Sequence, residues 1–315
     1  MKFGLNISKP ALRLYEAGVI TPDVFKCPAW PYLISQYKNH YPLYVHFPLG
    51  VGSGIGDAID GETKAPADWA KFEKLLADTG TPYLNLHLQA PQARFDKDGQ
   101  EADPFDAERS LANLIKDVES VIARFGKEMV IVENGFNIGE DPLYPAFYAE
   151  TAAKVVAATG CGFLFDISHA RIAAMRLGED YQAYIGRLPV HAIREIHITG
   201  MQVVDDYWIQ RALDAGLSSE TIERYIGPDG RWLPNGMADH LPMSQADWEM
   251  MAWSVKQLRS GAWRKPWVAS LECGGVGPFW EATFTEEEMR DQVPRLQALL
   301  ATAEPPKFAR HGATL

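Results

Sequence analysis

Short apolar runs alternate with longer amphipathic stretches along the whole chain. The runs Lys2–Ser8, Leu43–Phe47, Tyr83–Leu88, Met129–Asn134, Gly162–Ile167, Glu195–Thr199 and Val268–Cys273 have strand length and composition. Between them, Pro66–Leu76, Ala107–Phe125, Pro145–Ala158, Ser244–Leu258 and Glu286–Leu300 carry helical periodicity. Asp106 and Ser244 stand where N-caps belong, and Gly126 and Gly160 where helices stop. Strand and helix in alternation mean a parallel sheet with helices outside it. With a weaker strand near Gly236–His240, the count closes an α/β (β/α)8 TIM barrel in a single domain, residues 1–302.

The rival is an open doubly wound sheet, which usually carries a glycine-rich first βα turn, and none follows Lys2–Ser8. The run Gly50-Val-Gly-Ser-Gly-Ile-Gly56 lacks the Lys-Ser/Thr ending of a phosphate loop and reads as a flexible loop. Residues 201–235 are too long for one βα connection and hold two helical stretches, Tyr207–Ala215 and Ser219–Tyr225. They read as an inserted, lid-like helical segment after strand 6 of the predicted order. Its aromatic groups, Tyr207, Trp208, Tyr225 and Trp232, are suited to covering a substrate, and Gly216, Gly227 and Gly230 are its flexible points. The tail, 303–315, reads as loose.

Composition changes this picture little. The chain has 315 residues, 47% hydrophobic and 23% charged, as an ordinary globular protein does. Charge excludes more. A net charge of −11 opposes nucleic-acid binding, which needs clustered Lys and Arg. No window approaches the ~18 apolar residues of a membrane span, and the first residues lack a signal-peptide core. Cys27, Cys161 and Cys273 fit no zinc or redox spacing, so the expectation is three reduced thiols in a cytoplasmic protein.

The candidate chemistry sits at the strand ends. In Leu84-Asn85-Leu86-His87-Leu88-Gln89 the leucines face one way and Asn85, His87 and Gln89 the other. Helices cover the outside of a barrel strand, so the polar set points to the mouth. His46, Glu133, Asp166 with His169, His197, His240 and Glu272 also end strands or follow them closely. Unpaired buried charge costs several kcal/mol, and so many buried charges need a common cause. A cluster of metal ions supplies it, because imidazole and carboxylate together suit zinc, manganese or iron. Glu272 and Cys273 are neighbours, so a regular strand turns the thiol away from the mouth.

The runs Thr159-Gly-Cys-Gly-Phe-Leu-Phe-Asp-Ile-Ser-His-Ala170 and Leu188-Pro-Val-His-Ala-Ile-Arg-Glu-Ile-His-Ile-Thr-Gly200 resemble those of the DUF692/UPF0276 family. Pro42–His46 with Leu49-Gly-Val-Gly52, Leu86–Leu88 and Val132–Asn134 are similar to it as well. These are the multinuclear non-heme iron-dependent oxidative enzymes (MNIO), which include the methanobactin oxidase subunit and have a xylose isomerase-like barrel. The resemblance implies an oxidoreductase, an O2-dependent oxidase or oxygenase with two or three iron ions in mixed valence. The implied substrate is a peptide bearing cysteine, or a small thiol, with a partner protein presenting the peptide. It implies His46, His87 and Glu133 around one ion. Glu133, Asp166, His197 and Glu272 would hold a second, and His169 with His240 a third. Glu133 and Asp166 then carry catalysis, while Asn85, Gln89, Asn134 and Asp239 contact substrate or hydrogen-bond the ligands. The chain departs from the family at Ala238-Asp239-His240, where strand alternation puts Asp239 on the face opposite His240. That spacing leaves two ions or three. The other readings of such a metal site are a sugar isomerase or epimerase and an endonuclease IV-like zinc hydrolase.

Overall fold

The computed structural model describes residues 1–89, 105–135, 143–226 and 237–303. Its strands are β1 (Lys2–Asn6), β2 (Val24–Pro28), β3 (Leu43–His46), β4 (Leu49–Val51), β5 (Ile59–Asp60) and β6 (Leu84–Leu88). After these come β7 (Val130–Glu133), β8 (Gly162–Asp166), β9 (Ile193–Ile198), β10 (Gly200–Val203), β11 (Met237–Leu241) and β12 (Val268–Leu271). The large sheet runs β3-β2-β1-β12-β9-β8-β7-β6-β4-β5, and its pairings are parallel except for β4 with β5. Apart from the antiparallel β5 at one edge, the two ends of this order, β3 and β4, are consecutive in the chain. The segment 43–51 thus pairs with β2 through its first half and with β6 through its second, which rolls the sheet into a barrel.

One side chain spans the seam. At Phe47, between β3 and β4, the backbone finds no ladder partner. Asn85 on β6 takes that place: Phe47 N–H donates to its Oδ1 at 2.7 Å, and its Nδ2 donates to Phe47 O at 3.0 Å. Buried backbone polar groups are almost always paired, and here an amide side chain does it.

The predicted barrel is present, but two of its positions differ. Val24–Pro28 fills the second strand position, which the apolar pattern leaves empty, because the run is short, contains Lys26 and ends in Pro28. The weaker strand predicted near Gly236–His240, seventh in the predicted order, lies outside the barrel in its described part, from Met237. As β11 it forms a separate antiparallel pair with β10. The inserted segment therefore follows the seventh strand of the ring, not the sixth.

Local signals placed the helices well. Asp106 accepts from Arg109 N at 3.0 Å and starts the helix Ala107–Phe125. Ser244 and Asp247 form a reciprocal capping box for Gln245–Ser260. The helix expected over Pro66–Leu76 begins later, at Trp69, because Asp68 is its N-cap. Pro145–Phe147 is a 3-10 turn before Ala149–Thr159. The strands β7 and β8 are buried at every residue, as expected when helices cover one side and the barrel interior the other.

The glycine-rich run is pinned, not flexible. Asp117, fully buried, accepts from Gly52 N (3.0 Å), Ser53 Oγ (3.3 Å) and Gly54 N (2.9 Å) on one oxygen, and from Gly56 N (2.7 Å) on the other. Gly52, Gly54 and Gly56 have φ of 123°, 77° and 79°, which turns successive N–H groups inward. The loop is an anion cradle filled by the protein's own carboxylate.

The described part of the insertion packs sideways. Arg211 donates to Ala282 O at 3.0 Å and pairs with Glu288, while Ala212 and Ile222 share an apolar cluster with Phe279. Trp208 is buried against Ala238 and Leu241, and Tyr207 is exposed. Gly227, Gly230, Trp232, the Tyr225 side chain and the tail from residue 304 lie outside the described residues. Among the described residues, no helix is long and apolar enough to cross a membrane.

Candidate metal centre

Five histidines and four carboxylates meet at the C-terminal mouth of the barrel. His46 ends β3, His87 lies on β6, Glu133 ends β7, Asp166 ends β8 and His197 lies on β9. His169 is in the first turn of the helix that Asp166 caps, and Glu272 follows β12 directly. Asp239 and His240 come from β11.

Four of the histidines are locked by one ring nitrogen. His87 Nδ1 lies 3.0 Å from Leu49 O, His169 Nδ1 2.8 Å from Asn134 O, and His240 Nδ1 2.8 Å from Glu272 O. A carbonyl only accepts, so each of these nitrogens carries the proton. His197 Nε2 lies 2.9 Å from Glu195 Oε1 and donates in the same way. A neutral ring then offers its other nitrogen as a lone pair. Those nitrogens all face carboxylates. His87 Nε2 is 3.3 Å from Glu133 Oε2, and His197 Nδ1 is 3.2 Å from Glu272 Oε1. His169 Nε2 is 3.7 Å from Asp166 Oδ2 and 3.8 Å from Asp239 Oδ2. His46 Nε2 is 3.1 Å from His87 Nε2 and 3.7 Å from Glu133 Oε2.

Burial makes this arrangement consistent with neutral imidazoles. It depresses His46 and His197 well below the ordinary histidine range, lowers His240, and brings His87 down to about 4. His169 is the exception: burial opposes its charge, but Asp166, Glu133 and Asp239 raise it. Burial also lifts Glu133 to about 7. A proton on Glu133 could bridge one acceptor pair, but not the rest. Glu133 Oε2, Asp166 Oδ2 and His197 Nδ1 are buried without a hydrogen-bond partner, an expensive state for acceptors unless a cation lies among them.

The donor set fits metal ions on this ground. Three groups, His46–Glu133–His197, Glu133–Asp166–His169 and Asp166–His197–Glu272, each bring ligand atoms within 4.8 Å of one another. Glu133, Asp166 and His197 each belong to two groups, so the three positions are contiguous. His87 adjoins Glu133, and His240 lies beside Asp239, which in turn faces His169.

Backbone geometry overturns one expectation. His240 has φ of 60°, in the left-handed region, which breaks strand alternation. Asp239 therefore faces the same centre as His240, with 4.0 Å between its Oδ1 and His240 Nε2. The remaining predicted residues divide. Asn134 ties Asp166 in place by two 2.9 Å bonds, side chain to backbone. Asn85 closes the barrel seam and reaches His46 Nε2 at 3.4 Å. Gln89, just after β6, lies over Gly50, where a Cβ would meet its Oε1 at 2.3 Å. The three cysteines are buried and free, and burial raises each thiol, Cys27 to about 12.

Two residues escaped the sequence. Glu195 stands two before His197, on the same strand face, and burial lifts it to about 7. The alternation used for Asn85 and His87 would have found it. Lys26, on the unassigned β2, is buried and paired with Glu272, and burial lowers it to about 8 despite the surrounding carboxylates.

The barrel is similar to a zinc-bound structure of the IOLI protein (TM-score 0.53, 12% identity, 96% of this chain and 99% of that one). It is also similar to a xylose isomerase domain protein of Salmonella typhimurium (TM-score 0.51, 17% identity, 95% and 97%). At such identity the likeness concerns the fold. In sequence, a UPF0276 protein of Chromobacterium violaceum is 27% identical over 172 residues, 53% of this chain and 58% of that one. A UPF0276 protein of Bordetella pertussis is 42% identical over 52 residues, 16% and 18%. The chain thus spans between about a fifth and three-fifths of these relatives' lengths. The model of the family described as RiPP precursor modification enzyme MbnB/TglH/ChrH matches residues 24–214, which takes in His46, His87, Glu133, Asp166, His169 and His197. The chain belongs to that family of peptide-modifying enzymes.

Proposed function

We propose that the protein is a multinuclear iron enzyme that oxidises a cysteine-bearing peptide, with O2 as the electron acceptor. One observation carries this reading: four histidines, His197 buried and His87, His169 and His240 half-buried, are each locked at one nitrogen and turn the other toward carboxylate oxygens. Acceptors facing acceptors need cations, and one buried lysine cannot balance four carboxylates. The donors are imidazole and carboxylate without thiolate, a set that serves iron, manganese or zinc. Family membership favours a peptide as the substrate, and the resemblance to multinuclear iron enzymes favours iron.

His46, His87 and Glu133 would hold one ion, Glu133, Asp166, His197 and Glu272 another, and His169, His240 and Asp239 a third. Bound iron would supply redox chemistry with O2. The protein's own part is to fix the ligands and keep the site dry. Asn134 sets Asp166 and His169, Glu195 sets His197, and the Glu272 carbonyl sets His240. Above the centre a cavity of about 380 Å³ gives a substrate room.

The test is protein loaded with iron under nitrogen, mixed with a cysteine-containing peptide and then exposed to O2. Oxygen uptake in step with a mass change on the peptide is expected. Turnover by the zinc-loaded protein without O2 would replace this reading with an isomerase or hydrolase.

A further inference from the structure

The cavity over the centre has mostly apolar walls, from Ile7, Pro28, Trp30, Val276 and Trp280. Lys26 is the one lysine or arginine among the described residues that line it. Its side chain is 8% exposed and rises from β2, beside the strand that ends in His46. The ammonium pairs with Glu272, whose Oε1 also faces His197 Nδ1 at 3.2 Å. One carboxylate oxygen thus serves both a resident cation and the metal-binding set.

A buried ammonium needs an anionic or strongly accepting partner. Once Glu272 is committed to metal, Lys26 shares that carboxylate with the ion. Of the other carboxylates near it, Glu133, Glu195 and Asp166 lie on the barrel side and Asp239 in the cavity wall, where Lys26 also remains. We propose that Lys26 is the specificity-determining residue that receives an anionic group, a carboxylate, of the substrate beside the metal centre. The substrate class is then an apolar or aromatic residue or small molecule carrying a carboxylate, as at a peptide's C-terminal end. This rests on the metal-centre reading and adds the substrate's charge to it.

The probes are 3-phenylpropionate and its uncharged amide, titrated calorimetrically into metal-loaded wild type, Lys26→Met and Lys26→Arg, with metal content measured on each sample. Wild type should bind the carboxylate at least about tenfold more tightly than the amide, as a charge-assisted contact provides. Lys26→Met should lose that preference, and Lys26→Arg should keep part of it. Equal binding of acid and amide by wild type overturns the proposal, whether or not the Met variant folds. So does an undiminished preference in Lys26→Met, which would mean that the carboxylate binds the metal itself. Wild type that takes up no metal would instead overturn the metal-centre reading.

Discussion

His197 and Glu195 lie two residues apart on one strand, and the 2.9 Å bond between them points His197 Nδ1 at Glu272. The carboxylate accepts the Nε2 proton and so fixes which nitrogen is left to bind metal. Glu195→Gln replaces an acceptor with an amide able to donate. The proton can then move to Nδ1 and block the ligand position. Metal affinity, measured by competition with a chelator, should fall roughly 10- to 100-fold. Unchanged affinity would reduce Glu195 to a buried spacer.

Asn85 joins β6 to the break between β3 and β4. Asn85→Ala leaves the Phe47 N–H and C=O without partners at the barrel seam. Each buried orphan costs about 1–3 kcal/mol. A clear drop in melting temperature is expected for metal-free protein, where no ion can compensate. An unaltered melting temperature would show that the seam closes without this side chain.

Glu133 couples metal and pH. Its native pKa of about 7 lies above the ordinary 4.5, because it is buried. The native state therefore holds a proton that the unfolded state gives up. This group's contribution is fully present below pH 4.5 and is lost as pH rises through about 7. A glutamine cannot titrate. Metal-free Glu133→Gln should thus gain stability relative to wild type as pH rises from about 4.5 to 7, in paired thermal melts. A constant difference across that range would deny the raised pKa. With metal present the order should reverse, because the variant loses charge and a ligand shared by two groups.

The barrel and most of the residues that meet at its mouth were legible because polar side chains either alternate along a strand or end an otherwise apolar one. Leu84–Leu88 places His87 inward, and Phe163–Asp166 ends on a carboxylate that also caps a helix. Where the period breaks, the sequence misleads. The left-handed backbone at His240 turns Asp239 toward the site, a local conformation that no alternation encodes. Lys26 went unseen because a lysine and a terminal proline disguise a five-residue barrel strand. The glycine-rich run looked free because its anchor, Asp117, lies 61 residues or more further along the chain.

The central claim is that barrel strands and their loops assemble one contiguous multinuclear metal centre. The most direct measurement is anaerobic titration of metal-stripped protein with ferrous ion, followed by the electronic spectrum and by metal analysis after desalting. Two or three ions retained per wild-type chain, and about one fewer in Glu133→Gln, is the predicted result. A single retained ion, or a Glu133→Gln variant that loads as wild type does, would contradict the account.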